Sequence, residues 1–259
     1  MYDTLILEIK EGVGYITLNR PDVYNAFNDA LSFELQKALK EVTKSPDVRV
    51  VVLTGEGKAF CSGQDLKDVQ GAENRNLGES VVKRYNPIIR LMRNMPKPIV
   101  CRLNGVAAGA GCSLALASDV VVAAENAKLI EVFVNIGLVL DSGSSYFLPR
   151  IVGSNKAFEL STMGTKVSAA DALELGMVNK VVPSEELDAA VKEYTDYYAK
   201  APTKAIGIMK KMLNKSFHSD LDTMLQEEAY GQEMAGYSKD YKEGTTAFLE
   251  KRKPEFKGE

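Results

Sequence analysis

Three places in this sequence combine residue types that can do chemistry. Two are glycine corners, each after a short apolar run: Phe60-Cys-Ser-Gly-Gln-Asp-Leu and Asn104-Gly-Val-Ala-Ala-Gly-Ala-Gly-Cys. Glycines let the backbone turn tightly with no side chain in the way, so N–H groups at such corners can face open space. The apolar run Leu114 to Ala117 suits a buried helix, and a helix that starts at the corner leaves its first N–H groups without intrahelical partners. An oxygen gaining negative charge fits that spot. The third place is Asp141, in Leu140-Asp-Ser-Gly-Ser-Ser after the apolar run Ile136 to Leu140. A donor corner and one carboxylate suffice to move a proton beside a polarised carbonyl. Each place also has a structural reading: glycines that only permit close helix–strand packing, and an Asp that caps the following helix.

Other chemistries find little support. Gly109-Ala-Gly-Cys-Ser-Leu lacks the third glycine of a dinucleotide fingerprint, and no GxxxxGK[ST] phosphate loop occurs. The single histidine, His218, sits in the polar run Asn214-Lys-Ser-Phe-His-Ser-Asp and reads as a solvated helix-end residue. A Ser-His-Asp triad or a histidine metal site would depend on it alone, so no metal site is expected. Cys61, Cys101 and Cys112 are odd in number and lie in apolar or glycine-turn contexts, which fits reduced thiols. A net charge of −3 offers no basic footprint for nucleic acid. No apolar run reaches membrane-spanning length, and the start MYDTLILEIKEG lacks the features of a signal peptide. The expected location is the cytoplasm.

The elements that must hold these residues can be read in outline. Leu5 to Ile9 and Val13 to Leu18 predict a hairpin, and Asn19 to Asn28 a loop. Asn28 then caps a helix whose buried face carries Leu31, Leu35, Ala38, Leu39 and Val42. Val48 to Leu53 and Ile99 to Leu103 predict buried strands. Lys67 to Ser80 reads as a surface loop able to cover a site. Val81, Val82, Tyr85, Ile88, Ile89 and Met92 give a further helix its apolar face, with Pro87 kinking it or displacing its start. After about residue 150 helical patterns dominate: Ala170 to Leu175, Glu185 to Ala199 and Pro202 to Leu213, interrupted by the β-like Val178 to Val182. The charged run Gly236 to Lys253 closes this part. The pattern is that of an α/β core with a helical C-terminal part.

In five motifs taken in order, the chain resembles the enoyl-CoA hydratase/isomerase (crotonase) superfamily. They are Asn19-Arg-Pro with Asn25-Ala-Phe-Asn, the two glycine corners, Ser168-Ala-x-x-Ala with Gly176-Met-Val-Asn, and Ala247-Phe-Leu-Glu-Lys-Arg-x-Pro-x-Phe. The resemblance implies an α/β fold, a spiral of repeated ββα units over residues 1–200, with a helical trimerisation region over 201–259. It implies a homotrimer or homohexamer and an acyl-CoA thioester substrate, with CoA part of the substrate and no resident cofactor. By motif position, the Gln64 and Ala110 N–H groups would hold the thioester oxygen. Tyr24, Ala26, Ser62, Gly63, Gln64, Asp65 and Leu66 would line the CoA channel. Phe248 and Lys251 would reach the adenine end of CoA on a neighbouring subunit; alone they read equally well as a helix face and a solvated lysine.

Within the family, hydratases use two glutamates, and the matching places hold Ser113 and Phe133. Neither is a carboxylate, so the resemblance favours isomerisation. Asp141 falls where family isomerases carry their acid, and Gly137-Leu-Val-Leu-Asp-Ser-Gly with Leu148-Pro-Arg is similar to the branch that opens an epoxide ring beside a CoA thioester. An apolar surrounding would raise the Asp141 pKa toward the working range. A hydratase working through Asp141 alone, a non-catalytic acyl-CoA-binding protein and a ligand-free interaction protein remain alternatives.

Overall fold

The computed structural model describes residues 2–68 and 76–259. Among the described residues, ten strands form two sheets. The larger uses β1 (Leu5–Lys10), β2 (Val13–Leu18), β3 (Val50–Gly55), β5 (Ile99–Leu103), β7 (Val120–Ala124) and β10 (Lys180–Val182), in the order β1-β2-β3-β5-β7-β10. Only its β1–β2 pair is antiparallel, a hairpin whose turn places Glu11 and Gly12 at positive φ. The smaller sheet, β4-β6-β8-β9, is made of three-residue strands: β4 (Ala59–Cys61), β6 (Val106–Ala108), β8 (Lys128–Ile130) and β9 (Lys166–Ser168). Chain order therefore alternates between sheets: β3 then β4, β5 then β6, β7 then β8. This is the expected spiral.

The continuous apolar strands follow from being covered on both faces. In β3, β5 and β7, Val51, Leu53, Ile99, Cys101, Leu103, Val121 and Ala123 enter one core, beneath helix α1 (Asp29–Lys44). Val50, Val52, Val100, Val120 and Val122 enter a second, which also takes Leu187, Ala190 and Val191 of a later helix. The α1 side chains Leu31, Leu35, Ala38, Leu39 and Val42 are fully buried, and the Asn28 Oδ1 accepts from Leu31 N–H at 2.9 Å, as the spacing predicts. The strand expected from Val48 starts at Val50 and runs on to Gly55; Val48 packs into the core just before it.

Proline shapes the next segment. A short helix α2 (Leu77–Ser80) passes into a π turn over Val81–Tyr85 and then into α3 (Asn86–Asn94). Pro87 has no N–H to offer the Lys83 carbonyl, and the widened turn takes up the misfit. The Lys83 carbonyl instead accepts from Gln36 Nε2 of α1 at 3.0 Å. Of the loop expected over residues 67–80, residues 69–75 lie outside the described residues, and its end is the helix α2.

Helix α4 (Ala110–Leu116) follows the second glycine corner and is buried throughout. Helices α5 (Ser144–Val152), α6 (Ser154–Met163) and α7 (Ala169–Glu174) follow, then α8 (Leu187–Tyr198), which covers the second core. From residue 203 the structure is helical: α9 (Thr203–Ser216), α10 (Leu221–Gly236) and α11 (Lys239–Glu250). Buried polar ties join this part to the sheets. Lys210 of α9 meets Asp119 at 2.6 Å, Asp119 accepts from Ile99 N–H at 2.8 Å, and Arg49 donates to the Thr203 hydroxyl and the Phe256 carbonyl. Helix α10 escapes sequence reading because only Gly231 of its residues is buried, which leaves no apolar stripe to find.

Candidate active site

The two glycine corners meet because β4 and β6 are parallel neighbours, so the chain leaves both at the same end of the small sheet. Close approach is then obligatory. A Cβ on Gly111 would stand 2.2 Å from the Cys61 carbonyl oxygen. One on Gly63, at φ +90°, would stand 2.8 Å from the Ala108 oxygen and 3.6 Å from Ala110 N. Only glycine permits this contact.

Each corner offers one N–H. A parallel bridge joins Phe27 to Gln64, with Phe27 N–H donating to Gly63 O and Asp65 N–H to Phe27 O, so the Gln64 N–H takes no part in the pairing. Ala110 is the first residue of α4, where an N–H has no intrahelical acceptor. Tyr85, brought in by the π turn, donates from its hydroxyl to Gln64 Oε1 at 2.5 Å, while Gln64 Nε2 donates to Phe27 O at 2.8 Å. The side chain is thus fixed at both ends.

Ser62, Gly63, Gln64, Leu66, Tyr85, Ala110 and Asp141 all line one cavity of about 580 Å³. Its remaining wall is mainly apolar: Leu77, Val81, Val132, Phe133, Ile136, Leu138, Val139 and Leu140 contribute. Asp141 is the one carboxylate among the described lining residues. Burial raises its pKa, against the opposing hydrogen bond that its Oδ1 accepts from the Ser142 hydroxyl at 2.7 Å. The capping alternative does not hold. Gly143 occupies the cap of α5, and Asp141 serves that turn only through its backbone oxygen, which accepts from Ser144 N–H. Ser142 and Gly143 at positive φ make the turn that leaves the carboxyl at the cavity.

The other expected binding residues are placed as follows. Tyr24 and Ala26 lie behind the first corner, with the Tyr24 carbonyl accepting from Ser62 N–H. Asp65 turns away from the cavity to pair with Arg20 at 3.0 Å. Phe248, 83% exposed, lines a separate surface cavity with Tyr241, Leu249 and Phe256, and Lys251 ends α11 at positive φ. His218 is at the exposed end of α9, 3.0 Å from the Tyr146 hydroxyl and outside the cavity. All three cysteines are free and buried, and burial pushes the Cys61 thiol up to about 12. Among the described residues no His, Cys, Asp and Glu side chains cluster to hold a metal, and no helix is long and apolar enough to cross a membrane.

Sequence reading missed Glu131, which is 2% exposed and directly follows β8. Both its carboxyl oxygens accept from the Ser144 hydroxyl, at 2.9 and 3.0 Å. Its signal was faint: a lone acidic residue directly after the three-residue strand Lys128-Leu-Ile.

The alternating two-sheet spiral is the crotonase fold. The enoyl-CoA hydratase from Bacillus anthracis has the same architecture, with a TM-score of 0.94, 34% identity and coverage of 99% of this chain and 100% of that one. The sequence profile of the enoyl-CoA hydratase/isomerase family matches residues 8–259, and the chain belongs to that family. It is 41% identical, over the full length of both, to the 1,2-epoxyphenylacetyl-CoA isomerase of Escherichia coli. It is 40% identical to a probable enoyl-CoA hydratase of Rhodobacter capsulatus, over 99% of each chain. A trans-2-decenoyl-[acyl-carrier-protein] isomerase of Streptococcus mutans is 31% identical, also over 99% of each.

Proposed function

We propose that this enzyme is an acyl-CoA isomerase that shifts a double bond, or opens an epoxide ring, next to a CoA thioester. The observation that carries this reading is the single cavity holding Gln64, Ala110 and Asp141, with no second carboxylate among its described lining residues. The Gln64 and Ala110 N–H groups receive the thioester oxygen. As a proton leaves the adjacent carbon, charge builds on that oxygen, and donors already aimed at it stabilise the enolate without reorganising. Losing one such donor typically costs about 3 kcal/mol, a hundredfold or more in rate. Asp141 collects the proton and returns it elsewhere on the acyl chain, so one group serves both steps. Its raised pKa supports that task.

Hydration is the weaker reading, because it needs a carboxylate to activate water where this chain has Ser113 and Phe133. The Ser113 hydroxyl is buried in a hydrogen-bond network, and Phe133 presents an apolar wall. Ser62 to Leu66 and the Tyr24 to Ala26 backbone would flank the CoA chain. The exposed apolar residues of α11 fit a trimer, in which Phe248 and Lys251 would reach a neighbour's CoA. Mass spectrometry of reactions with 2-enoyl-, 3-enoyl- and epoxyphenylacetyl-CoA tests the assignment. Isomerisation leaves the substrate mass unchanged and hydration adds one water. Exclusive water addition to 2-enoyl-CoA would overturn the isomerase reading. Binding without any turnover would favour a non-catalytic acyl-CoA carrier.

A further inference from the structure

Beneath the cavity lies a closed chain of hydrogen-bonding groups that the proposed reaction does not use. Glu131, after β8, meets Ser144 Oγ of α5; Ser144 Oγ lies 2.7 Å from Ser113 Oγ of α4; and Ser113 Oγ reaches the Gly109 and Asp141 carbonyl oxygens at 3.2 and 3.3 Å. These last two groups belong to the site itself. The Gly109 carbonyl shares a peptide unit with the Ala110 N–H, and the Asp141 carbonyl holds the turn that presents the carboxyl.

We propose that Glu131 is a positioning residue for this site: through Ser144 and Ser113 it sets which way two hydroxyl protons point, and so whether the Gly109 or Asp141 carbonyl receives a second donor beside its backbone N–H. This rests on the reading of Ala110 and Asp141 as the working groups. Each serine has one proton, which fixes the count. When Glu131 is protonated it donates to Ser144, Ser144 donates to Ser113, and the Ser113 proton turns to the Gly109 or Asp141 carbonyl. When Glu131 is ionised the direction reverses: Ser144 donates to the carboxylate, Ser113 donates to Ser144, and those carbonyls keep only their backbone donors, Ser113 N–H on Gly109 and Ser144 N–H on Asp141. A second donor on the Gly109 carbonyl polarises its amide further and makes the Ala110 N–H a stronger oxyanion partner.

The surroundings make the reversal accessible near neutrality. Among the described residues no cation pairs with Glu131. The groups that face it are the Cys112 thiol of α4, which donates to it, and the Asp141 carboxyl, whose charge opposes a second one. The elements packed around it put their charges at the surface: Lys166 of β9 is exposed, and Lys156 and Glu159 of α6 pair with each other. Burial accordingly pushes Glu131 up to about 7.

The test is kcat and KM for a 3-enoyl-CoA across about pH 5.5 to 9, for wild type and the variants Glu131→Gln, Glu131→Leu, Ser144→Ala and Asp141→Asn. Glu131→Leu should lower kcat about tenfold with KM changed less than about twofold, because orientation rather than binding is lost. Glu131→Gln can still donate to Ser144, so it should recover to within about threefold of wild type and hold its activity above pH 7, where wild type declines. A Glu131→Gln profile superimposed on that of wild type, or Glu131→Leu equal to wild type at every pH, overturns the proposal. Should Glu131→Leu fail to fold, Ser144→Ala decides: it cuts the relay with Glu131 in place, and an unchanged kcat overturns the proposal. Asp141→Asn separates the layers. If it stays active the reading of Asp141 fails, whereas an inactive Asp141→Asn beside an unaffected Glu131 series defeats this inference alone.

Discussion

Replacing Asp141 with Asn should reduce activity and, at neutral pH, leave the protein as stable as before or more so. The two side chains have the same shape, and an Asn oxygen can still accept from the Ser142 hydroxyl, so the turn before α5 has no steric reason to move. What disappears is the group that carries the proton. General acid–base catalysis contributes about 10²- to 10⁴-fold, and this carboxylate has no substitute among the described lining residues, so a loss of about 10³-fold, or ~4 kcal/mol, is expected. The residual rate reflects the two N–H donors, which the substitution leaves alone. Stability runs the other way. Burial raises the folded-state pKa above its ordinary value, so the native state holds the proton more tightly than the unfolded chain. Stability is therefore lost as pH rises from the unfolded toward the folded pKa, because ionisation leaves a partly desolvated carboxylate in the native state. Asn removes that penalty. Turnover of a 3-enoyl-CoA followed by mass spectrometry, beside a thermal melt, measures both effects. Turnover within about threefold of wild type would refute the acid/base role, since no positioned acid/base is worth so little. A loss of activity matched by a collapse in Tm would show that the turn, rather than the proton, had been disturbed.

Further outcomes follow from the same geometry. Gly63→Ala adds a Cβ 2.8 Å from the Ala108 oxygen at a φ of +90°, which forces the two corners apart; kcat should fall about 10²-fold or more, and an unchanged kcat in a folded variant would refute the oxyanion assignment. Tyr85→Phe removes the hydroxyl that holds Gln64 Oε1 and should cost about 1 kcal/mol in kcat/KM, read from steady-state kinetics. Lys210→Met leaves Asp119 with the Ile99 N–H at 2.8 Å and, of its two cations, only Arg93 at 3.3 Å, and chemical denaturation should show a loss of about 2 to 3 kcal/mol. For Glu131 the folded pKa of about 7 lies above the ordinary 4.5, so its ionisation should cost up to about 3 kcal/mol of stability between those values; Glu131→Gln should raise Tm at pH 8 and leave it unchanged near pH 4.

Strands β3 and β5 were legible because burial on both faces writes them as nearly unbroken apolar runs, and the β1–β2 hairpin because two apolar runs flank a short turn; β7, Val120–Ala124, was not read as a strand. Helix α1 was legible for the opposite reason, a single buried stripe behind an Asn cap. The two glycine corners and Asp141 stood out because residue types there conflict with simple packing: glycines where a helix begins, an acid after five apolar residues. Glu131 did not stand out, because its partners Ser144 and Ser113 lie in other elements and only the fold brings them together. Nor did α10, which buries almost nothing within one chain. Pro87 announced an irregular helix, but not that a Gln36 side chain would satisfy the carbonyl it leaves behind.

The division into a large and a small sheet explains why the site sits where it does. The long strands of β3, β5 and β7 are committed to two cores, and their ends are far too constrained by packing to be redirected. Each turn of the spiral then spends only three residues in the small sheet before the chain must leave it. At β4 and β6 it leaves side by side, and the glycines at positions 63 and 111 let backbone press on backbone. That contact brings together backbone from segments nearly fifty residues apart, and the Gln64 side chain, held by Tyr85 and the Phe27 carbonyl, fixes the first corner further. The β8 turn of the spiral exits beside them and contributes Glu131, Phe133 and, further along, Asp141. The proposed donors, apolar wall and proton carrier thus come from successive turns at one edge of one sheet, so on this proposal substitutions that keep the glycines can change the acid, or delete it, without disturbing the two N–H groups.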